Sequence, residues 1–132
     1  MMSDLANKDA LTGVKSKVVY NNDVRIINEE IASGWEVEFG VVMIDLNDLK
    51  VINDQFGHDN GDAALIQLTG IICNVFAHSP VYRFGGDEFV VLLRNDDYHH
   101  ASKLIDEFNH RIEKLARNKK LTLPEKASAS IG

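Results

Sequence analysis

The sequence predicts an α/β (α+β) fold of the ferredoxin-like type, in which a central, mostly antiparallel sheet is flanked by helices. Segments with apolar residues at helical spacing alternate along the chain with short, continuous apolar runs that are typical of strands. After a first helix, the resulting order is strand, helix, strand, strand, helix, strand. A chain of 132 residues that is 45% hydrophobic suits one globular domain of ordinary size. We therefore expect a βαββαβ core with an extra N-terminal helix.

The first half of the chain predicts one helix and one strand. A helix that ends at Ser33-Gly34 is indicated by apolar residues at helical spacing, namely Tyr20, Val24, Ile27 and Ile31. Residues 37–45 predict a strand whose centre, Val41-Val42-Met43-Ile44, is apolar enough for burial on both faces. Trp35 lies between the two elements and is expected to pack at the end of the first helix.

The second half predicts a helix, a hairpin, a second helix and a last strand. The first of these helices stops at Ser79-Pro80, and its apolar stripe is Leu65, Leu68, Ile72, Val75 and Phe76. Runs 81–84 and 89–93 surround Gly85-Gly86 and predict a tight hairpin, because both glycines can take positive φ. A long amphipathic helix follows Asn95-Asp96-Asp97, and residues 127–131 predict the final strand.

Composition and charge exclude several classes of function. The net charge of −6 and the lack of a basic stripe predict no nucleic-acid partner. No apolar run approaches the roughly 18 residues that cross a bilayer, and the N-terminus lacks signal-peptide features. We therefore expect a cytoplasmic protein without direct membrane contact. The lone Cys73 rules out a disulfide framework, and its helical apolar neighbours predict a small buried hydrophobe.

The segment Gly85-Gly86-Asp87-Glu88-Phe89 carries the strongest chemical signal. Two acids follow a bare glycine turn that a phosphate could approach, and carboxylates hold hard cations. In the ferredoxin-like order, the first and third strands are antiparallel neighbours, so Asp45 at the end of one should lie beside Asp87. Paired acids at adjacent strand ends suit two-metal phosphoryl transfer. The alternative is that Asp45 caps a turn and Asp87 solvates a hairpin.

Residues 45–62 are too polar for an ordinary connection between a strand and a helix. Within them, Gly57 and Gly61 allow tight turns. Asn53 and Asp62 offer an amide and a carboxylate that match the donors and acceptors of guanine, and Lys50 could neutralise phosphate charge. The alternative is that these side chains serve turns and helix caps.

Together these segments resemble the GGDEF domains, the diguanylate cyclases. The resemblance rests on four motifs in order: Asp9-Ala10-Leu11-Thr12-Gly13, residues 45–62, Arg83 to Phe89, and Ser128 to Gly132. It implies a nucleotide-cyclase-like sheet flanked by helices. It also implies a reaction in which two GTP molecules condense to cyclic di-GMP with release of pyrophosphate, as the output of second-messenger signalling.

The resemblance assigns metal and catalytic roles to five residues. Asp45 and Asp87 would bind two Mg²⁺ ions, with Mn²⁺ as a possible substitute and with the Leu46 carbonyl as a backbone ligand. Glu88 would support the metal site. Lys50 matches the residue that is proposed to stabilise the transition state.

Five further residues match substrate-binding positions of the family. Asn53 and Asp62 correspond to the guanine contacts, and His58 to another substrate contact. Gly85 and Gly86 would let the nucleotide pass close to the hairpin. Because one site holds one GTP, catalysis would need a homodimer, and an upstream sensory domain is expected in the parent protein.

Two departures from the family pattern define further expectations. Phe76 and Ser79 stand where the family's inhibitory motif, R-x-x-D, has its Arg and Asp, so feedback inhibition there should be absent. The chain ends at Gly132, before the family's usual C-terminal helix. We therefore expect residues 1–132 to be a single GGDEF domain that is truncated at its C-terminus. The alternative is a catalytically weak or inactive module that binds GTP and acts in regulation or dimerisation.

Overall fold

The computed structural model describes residues 7–46, 54, 57–117 and 129–131. Its elements in chain order are β1 (Lys15–Ser16), α1 (Lys17–Ala32), β2 (Gly40–Leu46), α2 (His58–Val75), β3 (Val81–Arg83), β4 (Glu88–Leu93), α3 (Asn95–His99), α4 (Ala101–Arg117) and β5 (Ala129–Ile131). The expected α/β class and the βαββαβ order from β2 to β5 are confirmed. None of the helices in the described ranges is long and apolar enough to cross a membrane.

The five strands form one sheet in the order β1-β3-β4-β2-β5. β2 pairs antiparallel with β4 and β5, and β3 pairs antiparallel with β4. This is the ferredoxin-like arrangement, with the first and third core strands side by side as expected. The short β1 adds a parallel edge strand next to β3. The sequence analysis missed β1 because two residues are too few to show a strand pattern.

Helices cover the two faces of the sheet unequally. α2 and α4 pack on one face, and the buried side chains there include Val42, Ile44, Leu68, Phe76, Phe89 and Phe108. On the other face, Ile27 of α1 packs against Tyr82, Val90 and Leu92 of β3 and β4. β2 lies beside that contact, so Val41 and Met43 remain 42% and 50% exposed. The expectation that β2 is buried on both faces is therefore wrong for the part of the chain that the structure describes.

The hairpin and the polar connection differ from the sequence analysis in their backbone. Gly85 and Gly86 are not among the positive-φ glycines of the described chain, whereas Gly57 has a φ of 89°. The turn spans residues 84–87 and is closed by the Phe84 N–H donating to the Glu88 carbonyl at 2.8 Å. Positive φ at both central positions belongs to two-residue loops, so this longer turn does not need it. The connection also ends earlier, because α2 already begins at His58.

Two side chains expected to be buried are exposed. Cys73 lies on the exposed side of α2, and Trp35 is 71% exposed after the end of α1. Cys73 follows the apolar Ile71 and Ile72, whereas Trp35 follows Ser33-Gly34 beyond the last turn of α1. Helical spacing identifies a face, whereas the position of the covering element decides whether that face is buried.

Candidate functional site at the hairpin end of the sheet

The β2–β4 ladder brings the predicted acids to one end of the sheet. Asp45, near the end of β2, is the direct partner of Glu88, the first residue of β4, and Asp87 precedes Glu88 in the turn. Directly opposed residues of antiparallel strands have Cβ atoms roughly 5 Å apart. Asp45 and Glu88 are exposed and Asp87 is half-buried. Acids from two separate segments therefore share one solvent-accessible edge.

This arrangement suits a divalent cation in its chemistry. Like charges directly opposite on neighbouring strands repel each other, and a cation between carboxylates removes that repulsion. Oxygen donors are those that Mg²⁺ prefers. Among the described residues, no group of three or more His, Cys, Asp or Glu side chains is assembled as a metal site. The carboxylates are thus suitable ligands for Mg²⁺. The metal-binding roles of Asp45, Leu46 and Asp87 remain predictions.

Arg83 holds the hairpin turn through hydrogen bonds to its backbone carbonyls. Its Nη2 donates to the Gly86 carbonyl at 2.8 Å and its Nε donates to the Gly85 carbonyl at 3.2 Å. Its Nη1 lies 3.1 Å from both carboxylate oxygens of Asp9. The guanidinium thus ties the glycine turn to the N-terminal segment, while its side chain is only 16% exposed. Sequence reasoning gave Arg83 and Asp9 no role, because nothing in their separate patterns links them.

Asp9 is held for this contact by a tight turn of its own. Thr12 donates to the Asp9 carboxylate from its backbone N–H at 2.9 Å and from its hydroxyl at 2.7 Å. Gly13, with a φ of 76°, takes the left-handed conformation that closes the turn. Burial works to raise the pKa of Asp9, but the Thr12 hydrogen bonds and then Arg83 outweigh it, so the pKa is lowered from its ordinary value. Asp9 is therefore a stable anion that orients Arg83.

The other side of the hairpin base rests on α1. The Phe84 ring meets the Tyr20 ring edge to face, with centroids 4.7 Å apart. Lys17 Nζ lies 5.5 Å from the centroid of the Phe84 ring, within cation–π range. Phe84 is the residue directly before Gly85. The turn is consequently held by Arg83 on one side and by the first turns of α1 on the other.

The remaining predicted residues lie around α2 or outside the described chain. At the C-terminal end of α2, the hydroxyl of Ser79 bonds to Asp97, which follows the far end of β4. The N-terminal end of α2, with His58 and the exposed Asp62, therefore lies toward the hairpin end of the sheet. Lys50 and Asn53 lie outside the described residues.

The positions that match the inhibitory motif have structural roles here. Phe76 is fully buried and its ring packs 6.2 Å from that of Phe108. The Ser79 hydroxyl donates to Asp97 Oδ2 at 2.7 Å, and the His78 N–H donates to the same oxygen at 3.0 Å. Neither position offers a charged group to a ligand. The absence of feedback inhibition remains a prediction that these contacts support.

Comparisons with known proteins give one consistent result. Residues 6–132 match the family model described as the diguanylate cyclase GGDEF domain. The probable diguanylate cyclase DgcT of Escherichia coli is 28% identical over 131 residues, which are 98% of this chain and 28% of that protein. A diguanylate cyclase of Vibrio cholerae is 33% identical over 108 residues, which are 81% of this chain and 33% of that protein. The chain thus spans about a third or less of these relatives.

A solved structure supports the same fold. The GGDEF domain of DgcB from Caulobacter crescentus, determined in complex with c-di-GMP, superposes with a TM-score of 0.79 at 21% identity. The match covers 100% of this chain and 76% of that one.

Proposed function

Because this chain belongs to the GGDEF, diguanylate cyclase family, we propose that it condenses two GTP molecules into cyclic di-GMP and releases two pyrophosphates. Family membership connects the chain to cyclic di-GMP signalling. The observation that carries the proposal is the β2–β4 ladder, in which Asp45 faces Glu88 next to Asp87. This pairing supplies carboxylates beside a turn with no side chains at Gly85 and Gly86.

In this proposal, Asp45 and Asp87 hold two Mg²⁺ ions together with the Leu46 carbonyl, and Mn²⁺ can replace them. When bound, the ions supply acidity to the attacking 3′-hydroxyl and neutralise charge on the leaving pyrophosphate. In each of two steps, the 3′-oxygen of one GTP loses its proton and bonds to the α-phosphorus of the other. The bond from that phosphorus to pyrophosphate breaks, so one pyrophosphate leaves per step.

The residues around the acids would bind and orient the nucleotide. A Cβ at Gly86 would meet nothing within 4 Å, and at Gly85 it would meet only the Glu88 side chain, at 3.8 Å or more. The turn is thus open to an approaching phosphate. Asp62 would accept hydrogen bonds from the guanine edge, with Asn53 and His58 as further contacts, and Lys50 would neutralise charge on the phosphates.

The proposal also defines partners. Each site holds one GTP, so two domains must face each other as a homodimer to bring both nucleotides together. An upstream sensory domain in the parent protein would control that approach. The reaction uses cytoplasmic GTP, so the domain would act in the cytoplasm.

The direct test is to incubate the purified chain with GTP and Mg²⁺ and to detect cyclic di-GMP by liquid chromatography and mass spectrometry. Asp87→Ala should abolish the product, since it removes a metal ligand. Asp96→Ala is the matched control, because Asp96 is an exposed acid at the opposite end of the sheet and should leave turnover unchanged. GTP binding without any product would instead support the non-catalytic module.

A further inference from the structure

A groove lies at the end of the sheet opposite the hairpin. It has a volume of about 580 Å³ and lies between the α1–β2 connection and the residues that follow β4; its lining includes Glu30, Trp35, Glu36, Glu38, Arg94 and His99. We call it the far groove. β2 begins beside this groove at Gly40, and Asp45 is five residues further on, so roughly 17 Å of strand separates it from the acids. The far groove is therefore distinct from the candidate catalytic site.

The far groove combines negative charge with an exposed aromatic side chain. Glu30, Glu36 and Glu38 contribute three carboxylates, of which Glu38 contacts His99, against the guanidinium of Arg94. Trp35 is 71% exposed, which is unusual for the largest apolar side chain. Tryptophan is enriched among the residues that dominate binding at protein interfaces, and its ring face attracts cations.

The walls of the far groove are formed by ordered contacts. His99 Nε2 lies 2.8 Å from Glu38 Oε2, which joins α3 to the α1–β2 connection across the groove. Tyr98 packs against the start of β2, where a Cβ on Gly40 would lie 3.6 Å from its ring. Asn95 has a φ of 52°, a left-handed conformation that Asn tolerates better than most residues. The groove is thus shaped before any partner arrives, which lowers the entropic cost of binding.

We propose that the far groove is a docking site for a basic, arginine- or lysine-rich segment of a partner protein. A cationic side chain stacks on Trp35 while Glu36 and Glu30 pair with its neighbours. Charge complementarity selects this occupant, because the groove carries an excess of carboxylates beside an exposed ring. The site lies on the segment that joins α1 to β2. It does not depend on the proposed catalytic activity.

The test uses a fluorescein-labelled hexa-arginine peptide as the probe, with binding followed by anisotropy at about 150 mM salt, where distant surface charges are largely screened. Trp35 is the one tryptophan of the chain, so its emission reports binding at the groove itself. We expect saturable binding with a parallel change in Trp35 emission. A hexaglutamate peptide should produce neither.

Two variants separate the groove from general attraction to an acidic protein. Glu36→Gln combined with Glu30→Gln should raise the dissociation constant about ten-fold, and Trp35→Leu about five-fold, as expected for lost ion pairs and a lost cation–π contact. Asp106→Asn with Glu107→Gln removes the same number of charges on the exposed face of α4, and this control should change the dissociation constant less than two-fold. Equal weakening by both double variants, or binding without a change in Trp35 emission, would overturn the proposal.

Discussion

At the scale of single residues, the candidate site depends on one cation, Arg83, to which the sequence analysis gave no role. Arg83 contacts the Gly85 and Gly86 carbonyls and the Asp9 carboxylate at the same time. An Arg guanidinium can do this because its donors form a rigid planar fork, which a lysine ammonium lacks. The turn that presents Asp87 is therefore positioned by a residue that need not touch the substrate.

The Arg83–Asp9 contact should stabilise the fold measurably. Arg83→Gln should lower the free energy of unfolding by about 2 kcal/mol, because several hydrogen bonds of a charged side chain that is only 16% exposed are lost. A double-mutant cycle with Asp9→Asn, followed by urea denaturation, should give a coupling of about 1 kcal/mol. Arg25→Gln with Glu29→Gln is the matched control for an exposed pair, with coupling below about 0.5 kcal/mol. Equal coupling in both cycles would contradict a special role for Arg83.

The same contact predicts a pH dependence. The pKa of Asp9 is lowered in the folded chain, so its contribution is fully present above the ordinary carboxyl pKa. It is lost as the pH falls through the lowered, folded-state value. The stability difference between the wild type and Asp9→Asn, measured by urea denaturation from pH 7 downward, should therefore shrink in acid. A difference that is constant down to pH 2 would rule out an anionic Asp9.

At the scale of elements, the helices that frame the sheet are joined by a buried acid. Asp97 in α3 is 4% exposed and accepts hydrogen bonds from the His78 N–H and the Ser79 hydroxyl. These donors belong to the turn between α2 and β3. Asp97 thus ties α3 to the turn through which α2 leads into β3.

Replacing Asp97 should loosen that turn. Asp97→Ala leaves a partly buried N–H and a hydroxyl without their acceptor, which should lower the free energy of unfolding by about 2 kcal/mol in urea denaturation. Asp96→Ala, at the exposed neighbouring position, should cost less than about 1 kcal/mol through the lost interaction with the helix dipole. Hydrogen exchange should show faster exchange at His78 in the first variant only. Unchanged exchange there would show that Asp97 does not hold the turn.

At the scale of the whole molecule, the length of the sheet separates the two proposed sites. The hairpin end carries the acids and the glycine turn, while the far groove lies beyond the other ends of β2 and β4. α1 touches both regions, because Tyr20 contacts Phe84 and Glu30 lines the far groove. A partner in the groove would therefore contact the same helix that supports the hairpin.

The proposed two-domain reaction predicts a kinetic order in protein. If each domain brings one GTP, the initial rate of cyclic di-GMP formation should rise with the square of the chain concentration where the chain is monomeric, and linearly once dimers form. Sedimentation velocity under the same conditions locates the transition. A linear dependence throughout the monomeric range would contradict catalysis between two domains.

Local sequence signals were sufficient for most of the architecture. Helical and strand spacing predicted α1, α2, α4, the hairpin and the βαββαβ order, because burial of one face imposes a period on each element. The short α3 was not predicted, because residues 95–97 were assigned to the segment before one long helix. Asp87 and Glu88 stood out because they directly follow Gly85-Gly86. The βαββαβ order also predicted that β2 and β4 are neighbours. In the structure these two strands pair, and Asp45 lies directly opposite Glu88.

Contacts between distant segments could not be obtained in this way. The link between Arg83 and Asp9, the buried Asp97 and the exposure of Trp35, Val41 and Met43 all depend on which element lies over which surface. A periodic pattern carries no information about a partner elsewhere in the chain. These features arise only when α1 covers β3 and β4 and leaves β2 open, and when a rigid side chain bridges segments that folding brings together.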